Sequence, residues 1–407
     1  MKRKPEILAP AGDMEKLRYA IQYGADAVYL AGESFGLRAA ADNFTLDEMK
    51  AAIAYAEKKE VRLYVAVNVF AHNQDIEGIS GFLESLRDMR PSGLIVSDLG
   101  VFSLAKEIAP NLPLHISTQA NSVNWKTVSA WGGLGARRVV LERELSLDEI
   151  EAIRTKTKVE LEMFVHGAMC MAYSGRCLLS NYLTGRDGNQ GACTHPCRWQ
   201  YRLVEEKRPG EYLPIEEDER GSYIMNSKDL CLLPYLPNLL SSGLDSFKIE
   251  GRIKSLYYVA TVVKVYREAL DVCFVDPELF AARLPGWLAE LGKVSHREYC
   301  NGFLMGPPQA GDHRYQSGGY VREYDFIGIV LGYDREKSLL EVEQRNHFSC
   351  GEEVEIMPPQ GPSYFLRMEE ILDENLAPLA AAPHAQMRVF LPIKEEIPPM
   401  SILRRKK

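Results

Sequence analysis

The sequence predicts an α/β protein, in which a (β/α)8 TIM-like barrel is followed by a small antiparallel β-barrel domain. Eight short apolar runs alternate with helical patterns over residues 1–277, which is typical of parallel strands joined by helices. After a helical and irregular connector over residues 278–318, residues 319–407 show strand and turn patterns instead. A chain of 407 residues is also long enough for more than one domain.

The eight candidate barrel strands are nearly continuous apolar runs, as expected when both faces of a parallel sheet are covered. They lie at residues 6–9, 25–31, 62–68, 93–97, 114–118, 137–142, 160–166 and 246–250. An open doubly wound sheet is the alternative. It would usually carry a glycine-rich phosphate loop after the first strand, and the sequence APAGD at residues 9–13 is not one.

Helix signals separate the candidate strands. Asp13 is a candidate N-cap, and Thr45 and Ser146 each begin a capping box. We expect further helices over residues 229–242 and 254–272. This regular alternation favours the barrel.

One connection is far longer than an ordinary βα loop. We place an insertion at residues 167–226, after the seventh strand. Structureless loops of this length in compact domains are usually functional or disordered. Because the insertion contains a cluster of cysteines, we expect it to carry function.

The candidate strands of the C-terminal part are separated by proline and glycine. They lie at residues 326–332, 339–344, 353–357, 364–371 and 387–391. The chain then ends in a basic tail at residues 404–407. Charge alone favours a solvated surface for this tail, with a local basic face as the alternative.

Composition limits the classes of function. The formal net charge of −8 argues against nonspecific binding of polyanions by the chain as a whole. No apolar run approaches the roughly 18 residues that span a membrane, and the apolar stretch after the basic N-terminus is too short for a secretory signal. We therefore expect a cytoplasmic protein without membrane contact, whose cysteines do not form a disulfide framework.

Four of the eight cysteines lie close together in the insertion. Cys170, Cys177, Cys193 and Cys197 have the spacing C-x6-C-x15-C-x3-C, and thiolates bind soft metals as zinc or iron–sulfur sites. Zinc favours C-x2–4-C pairs, which only the last two cysteines form, whereas an iron–sulfur cluster accepts looser spacing. Buried free cysteines are the third alternative. Cys231 is a substitute ligand or a core residue.

Polar residues recur where the candidate strands end, which is where barrels of this type place their active sites. A single polar strand end is ordinary, but a ring of them predicts a shared site. The ring comprises Asn68, Ser97, Asp98, Thr118, Gln119, Glu142, Arg143, His166, Glu250 and Arg252. The familiar protease motif H-E-x-x-H is absent from the sequence, as is a papain-like cysteine context.

Two runs of the insertion resemble the signature of the peptidase U32 family. They are residues 162–177 (EMFVHGAMCMAYSGRC) and residues 189–199 (NQGACTHPCRW). The segments NSKDL at 226–230 and FKIEGR at 247–252 are also similar to that family, and the resemblance extends over essentially the whole chain.

This resemblance implies two kinds of activity. The family name implies collagenase-like proteolysis. Several branches are instead oxygen-independent hydroxylation proteins with a 4Fe-4S cluster, which act on a tRNA wobble uridine, a ribosomal RNA cytidine or a ubiquinone precursor. The chain looks most like the tRNA branch, which implies prephenate as hydroxyl donor. The cluster ligands carry over onto Cys170, Cys177, Cys193 and Cys197, with Cys231 still open as the fourth.

The first hypothesis is therefore a redox tRNA-modifying enzyme. Arginine and lysine would hold the anionic donor, and a histidine or carboxylate would move protons. The expected substrate-binding residues are Asn68, Gln119, Arg143, Lys248 and Arg252, and the candidate catalytic residues are His166, Asp98 and Glu250.

Two other hypotheses stay open from the sequence. One is a collagenase-like peptidase of unknown catalytic type. The other is a nonenzymatic RNA-binding or assembly subunit that forms a hetero-oligomer with a second U32-family protein. The sequence alone does not fix the substrate RNA.

Overall fold

A closed barrel of eight parallel strands forms the first part of the chain, as the sequence predicts. The computed structural model describes residues 4–36, 43–169, 178–186, 193–196, 228–306 and 321–407. The strands of the first part are β1 (Glu6–Pro10), β2 (Ala27–Ala31), β3 (Arg62–Val67), β4 (Gly93–Val96), β5 (Leu114–Ile116), β6 (Arg138–Val140), β7 (Glu160–Ala168), β8 (Asp229–Cys231), β9 (Ser246–Ile249) and β10 (Tyr299–Cys300).

The barrel consists of β1 to β7 and β9. Each strand pairs in parallel with its neighbour, and β9 closes the sheet by pairing with both β7 and β1. The outward-facing side chains of the strands are almost wholly buried and pack beneath the helices. This covering on both faces explains why the strands read as continuous apolar runs in the sequence.

Helices follow the strands in turn. They are α1 (Met14–Gln22), α2 (Leu46–Lys58), α3 (Ile76–Met89), α4 (Leu99–Ile108), α5 (Trp125–Leu134), α6 (Leu147–Lys156), α7 (Leu179–Thr184), α8 (Leu236–Ser241), α9 (Leu256–Val275) and α10 (Pro277–Leu291). Asp13 caps α1 by accepting a hydrogen bond from the Lys16 amide. The capping boxes at Thr45 and Ser146 are both present. In the described ranges, none of the helices is both long and apolar enough to cross a bilayer.

The helix expected over residues 229–242 is wrong in its first half. Residues 229–231 form β8, which runs antiparallel to the end of β7 and places Cys231 opposite His166. The cause is that β7 extends to Ala168, beyond the barrel wall, and its free backbone groups need partners. β8 supplies them and is itself extended by β10.

A buried ionic network fills the barrel interior on the side of the strand N-termini. The Arg138 guanidinium donates to Glu6 Oε1 at 2.7 Å and to Glu162 Oε2 at 2.9 Å. It also pairs with Glu160, and Lys248 Nζ donates to the other oxygen of Glu162 at 2.9 Å. These contacts join β1, β6, β7 and β9 across the interior. They form the lumen network, which we define as Glu6, Arg138, Glu160, Glu162 and Lys248.

Charge balance within the lumen network decides the protonation of Glu162. Burial alone would raise the pKa of this carboxyl, but the charges of Lys248 and Arg138 lower it to about 2. The carboxylate therefore stays ionised throughout the physiological range. Its bonds are charge-assisted and buried, so the loss of one partner leaves a charge without compensation.

The C-terminal part is a curved antiparallel sheet, as the sequence predicts, although the sheet is a half-barrel and does not close. Its strands are β11 (Tyr324–Asp334), β12 (Leu339–Gln344), β13 (Phe348–Ser349), β14 (Glu353–Met357), β15 (Tyr364–Arg367), β16 (Ile371–Leu372), β17 (Pro378–Leu379), β18 (Ala381–Ala382), β19 (Arg388–Pro392) and β20 (Ile402–Lys406). Eight of them form one sheet in the order β15-β14-β20-β11-β12-β19-β16-β17. The domain boundaries at residues 277 and 318 stay predictions.

The basic tail is part of the C-terminal sheet, and the solvated surface that charge favours is wrong for Arg404. It forms β20, between β14 and β11 in the middle of the sheet. The Arg404 side chain is fully buried and pairs with Glu355 at 2.9 Å and with Glu290 of α10 at 2.5 Å. Arg404 therefore joins the sheet to the barrel side of the molecule. The Tyr23 hydroxyl of the barrel adds hydrogen bonds to the carbonyls of Met357 and Met400.

The lumen network yields a prediction for two adjacent arginines. Arg138→Leu should lower the free energy of unfolding by about 3–5 kcal/mol, because it leaves Glu6 and Glu162 buried without their partner. Arg137→Leu is the matched control, because Arg137 also pairs with Glu160 but its side chain is 63% exposed. That variant should lose less than about 1 kcal/mol. Urea unfolding measures the free energy of unfolding of both variants. Equal losses in the two would contradict the role of Arg138 in the buried network.

Candidate functional site

Three predicted site residues lie together at the mouth of the barrel, where β3, β4 and β5 end. The Asn68 amide donates to Ser117 Oγ at 3.4 Å, and Ser117 Oγ donates to Gln119 Oε1 at 3.3 Å. Asp98 follows β4 and caps α4 by accepting from the Val101 amide at 3.0 Å. Asn68, Asp98 and Gln119 therefore form one polar patch, as a shared site requires.

Two buried polar atoms of this patch lack a hydrogen-bond partner in the part of the chain that the structure describes. They are Asn68 Oδ1 and Gln119 Nε2. A buried polar group without a partner costs free energy and is rare in folded proteins. The patch is thus built to contact a group that the described residues do not supply.

Arg143 occupies the mouth at the end of β6. Its guanidinium lies 4.0 Å from the centre of the Phe164 ring and donates to the Ala168 carbonyl. Lys248 lies deeper and belongs to the lumen network, with its Nζ atom bound to Glu162 and 4.6 Å from the centre of the Tyr29 ring. This placement favours Arg143 as a residue that holds an anion and does not support that role for Lys248.

The segment after β9 brings Glu250 and Arg252 to the mouth, where its backbone lies close to Gly12 and Gly167. A Cβ on Gly12 would lie 2.3 Å from the Arg252 carbonyl oxygen, so only glycine fits there. Gly167 has a φ of +112°, and its Cβ would lie 2.6 Å from the Glu250 carbonyl oxygen. These two glycines let the ends of β1, β7 and β9 pack together, with Arg252 buried between them.

His166 does not join the polar ring. The register of β7 against β9 shifts between Phe164 and His166, so the His166 side chain lies outside the barrel interior. It contacts the rings of Tyr266 and Tyr299, with centroids at 5.5 and 5.3 Å. Burial, followed by the charge of Lys254, lowers the pKa of His166 to about 3. This neutral, enclosed imidazole does not support proton transfer at the mouth, whereas the roles of Asp98 and Glu250 stay predictions.

Of the four clustered cysteines, Cys193 is described, and Cys170, Cys177 and Cys197 lie outside the described residues. The Cys193 thiol is exposed and accepts a hydrogen bond from the His195 amide at 3.4 Å. Its turn is held by the Thr194 amide, which donates to Ser180 Oγ at 3.1 Å. An amide directed at sulfur stabilises a thiolate, so Cys193 fits a metal ligand.

Cys231 has the surroundings of a core residue. It lies in β8, is buried, and burial raises the pKa of its thiol to about 11. Within the described ranges, the histidine, cysteine and carboxylate side chains form no group of three that could hold a metal. We use the term cysteine segment for the part of the insertion after β7 that carries Cys170, Cys177, Cys193 and Cys197. A cluster would have to be bound by this segment, which begins where β7 ends at the mouth.

Glu142 belongs to the polar ring, but the sequence predicts no catalytic or binding role for it. Thr118 Oγ1 and Asn121 Nδ2 donate to its carboxyl at 3.0 and 3.2 Å. Burial and the neighbouring Glu144 raise the pKa of Glu142 to about 8. A carboxyl of this kind holds a proton near neutral pH, as a general acid or base must. The sequence signal was the pair of glutamates at 142 and 144, on either side of Arg143.

Comparison with known proteins adds to this geometry. Residues 12–314 match the model of Peptidase family U32, and residues 322–404 match that of the Peptidase family U32 C-terminal domain. The chain belongs to peptidase family U32.

Full-length relatives of this U32 chain carry two kinds of name. The chain is 41% identical over 405 residues to tRNA hydroxylation protein P1 of Bacillus subtilis, covering 100% of this chain and 96% of that protein. It is 38% identical over 435 residues to tRNA hydroxylation protein P of Escherichia coli, covering 97% and 95%. It is also 32% identical over 415 residues to Collagenase of Porphyromonas gingivalis, covering 98% and 97%.

Glu142 gives this U32 protein a predicted pH dependence. Its pKa is higher in the folded state than the ordinary value of about 4.3, so its contribution to stability is lost as the pH rises towards about 8. Glu142→Gln should therefore gain stability relative to the wild type between pH 5 and pH 9, by roughly 4 kcal/mol. Urea unfolding at both pH values checks this. Glu151→Gln, at an exposed position of α6, should show no such gain in stability. An equal gain in this control would contradict the raised pKa assigned to Glu142.

Proposed function

We propose that the chain is an iron–sulfur-dependent, oxygen-independent hydroxylase of a tRNA wobble uridine, with a prephenate-like hydroxyl donor. One observation carries the proposal. The cysteine segment leaves β7 at the same barrel mouth that holds two buried arginines, a proton-holding carboxyl and unpartnered amide groups. The names of the Bacillus and Escherichia relatives support tRNA as the substrate.

The cysteine segment is anchored on both sides. It begins after β7, and the chain returns along the same edge through β8, with Ala168 opposite Asp229. Cys170, Cys177, Cys193 and Cys197 would hold the 4Fe-4S cluster, which supplies one-electron redox chemistry when bound. The exposed Cys193 thiol with its amide hydrogen bond supports this ligand set.

The arginines support an anionic donor. Arg143 is buried at the mouth, and its Nε atom has no hydrogen-bond partner in the described part of the chain. Arg252 is also buried there, at the end of β9. A guanidinium pairs with a carboxylate through two parallel hydrogen bonds, so these residues would orient a donor that carries carboxylates. Glu142, with its bound proton, would exchange protons beside them.

Complementation in cells tests the cysteine segment. In a strain from which the gene has been deleted, the wild-type chain should restore the hydroxylated uridine of tRNA, and Cys193→Ser should not, because serine does not replace the thiolate. Cys350→Ser is the matched control, since Cys350 is also exposed but lies in the turn after β13, in the C-terminal part of the chain. Mass spectrometry of tRNA nucleosides gives the readout. Full modification with Cys193→Ser would contradict this ligand assignment.

A collagenase-like peptidase is the second candidate, and the full-length similarity to the Porphyromonas collagenase favours it. The described geometry offers it one cysteine and histidine pair, Cys231 opposite His166. Burial raises the thiol pKa and lowers the imidazole pKa, which opposes the thiolate–imidazolium pair that a cysteine nucleophile needs. Cleavage of gelatin by the purified protein, persisting after iron removal, would favour this alternative.

The proposal also includes a hetero-oligomer of this chain with a second U32-family protein. In its extreme form, the chain would be a nonenzymatic RNA-binding or assembly subunit. The isolated chain would then bind tRNA without modifying it, and activity would return when the partner is added. Modification by the isolated chain would exclude this form.

A further inference from the structure

A cavity of about 540 Å³ lies beside the barrel mouth, next to the residues that the proposed function uses. It is bounded by the turns that follow β4 and β5 and runs along α5. Its apolar walls are formed by Phe70, Leu99, Trp131 and Leu134. We refer to it as the Gln119 cavity, after one of its polar lining residues. Its volume is in the range of small-ligand sites.

Gln119 presents a hydrogen-bond donor that no described residue uses. Its side chain is 4% exposed, and its Oε1 atom accepts a hydrogen bond from Ser117 Oγ at 3.3 Å. Its Nε2 atom is buried and has no partner in the part of the chain that the structure describes. Because Ser117 fixes the orientation of the amide, this donor is held in place for an acceptor such as a carbonyl oxygen.

The charges of the cavity exclude the anionic donor as its occupant. Its described lining residues include no lysine, arginine or histidine, and Asp98 contributes a carboxylate. A molecule with carboxylates would therefore be repelled here. A neutral planar ring that carries carbonyl groups fits the amide and the apolar walls.

The aromatic lining agrees with a nucleobase. Trp131 is held by the ring of Phe102, with centroids 5.5 Å apart, and proteins bind unpaired bases by stacking them on aromatic side chains. Trp125, at the start of α5, is 37% exposed, and Lys126 Nζ lies 4.4 Å from the centre of its ring. This exposed aromatic and cationic pair suits the neighbouring nucleotides of a single strand.

We propose that the Gln119 cavity receives the unpaired pyrimidine base of the RNA substrate. Gln119 Nε2 donates to a carbonyl oxygen of the base, and the ring lies against Trp131. The anionic donor binds separately, at Arg143 and Arg252. This assignment rests on the proposed function and names the part of the chain that holds the target base.

A base-deletion experiment tests the assignment. Binding of the full-length protein, purified without oxygen, is measured with two anticodon stem–loop RNAs, one with the uridine and one abasic at that position. The wild type should bind the uridine RNA about tenfold more tightly, as expected for one stacked base. Ala130→Trp should bind both equally and at the abasic level, because the new ring fills the cavity that Ala130 lines.

Two further variants complete the experiment. Ala54→Trp is the matched control, because Ala54 in α2 is an exposed helical alanine like Ala130. This variant should keep the wild-type preference for the uridine RNA. Gln119→Met should lose part of the preference for the uridine RNA and leave binding of the abasic RNA unchanged, since it removes the donor without filling the cavity.

The experiment distinguishes failure of this inference from failure of the proposed function. A wild-type chain that hydroxylates tRNA in cells but binds both stem–loops equally would overturn this inference and leave the proposed function standing. Retention of the full preference by both Ala130→Trp and Gln119→Met would also overturn it. If the wild type binds neither RNA and tRNA is unmodified in cells, the proposed function itself fails, and the inference with it.

Discussion

The bridge that Arg138 forms between Glu6 and Glu162 is the interaction on which the barrel most depends. It joins β6 to β1 and β7 through two buried charge-assisted hydrogen bonds, and Lys248 extends the bridge to β9, the strand that closes the sheet. Breaking a buried ionic network leaves uncompensated charge, so the strands must keep the register that satisfies it. The interior on this side is thereby filled, and chemistry is confined to the opposite end of the barrel.

At that opposite end, close backbone contacts hold the strand ends in position, in place of buried charges. Gly12 and Gly167 allow the segments after β1, β7 and β9 to touch, which buries Arg252 beside the point where the cysteine segment begins. The pairing of β8 with the end of β7 fixes the return of that segment. The mouth then has two chemically different sides, with Arg143 and Arg252 on one and, on the other, a cavity next to the turns after β4 and β5 that contains no cation among its described lining residues. This division suits an enzyme that must hold an anion and a neutral ring at once.

Much of this architecture follows from local sequence, because parallel strands covered on both faces must be apolar throughout. Strand ends follow from the same pattern, so Asn68, Asp98, Gln119 and Arg143 were placed at the mouth correctly. His166 was not, because the irregularity in β7 that turns it outward depends on the pairing with β9 and leaves no local signal. Lys248 and Arg404 look like surface cations in the sequence, and only their distant partners, Glu162 and Glu355, explain their burial. β8 likewise depends on the free edge of β7 and not on its own sequence.

The central claim is that the cysteines of the segment after β7 hold an iron–sulfur cluster, and metal analysis tests it most directly. The chain is purified without oxygen, and its iron, acid-labile sulfide and visible spectrum are measured. The account predicts about four irons and four sulfides per chain, with the broad visible absorption of a thiolate-bound 4Fe-4S cluster. Stoichiometric zinc, or protein that holds no metal under strict exclusion of oxygen, would contradict it.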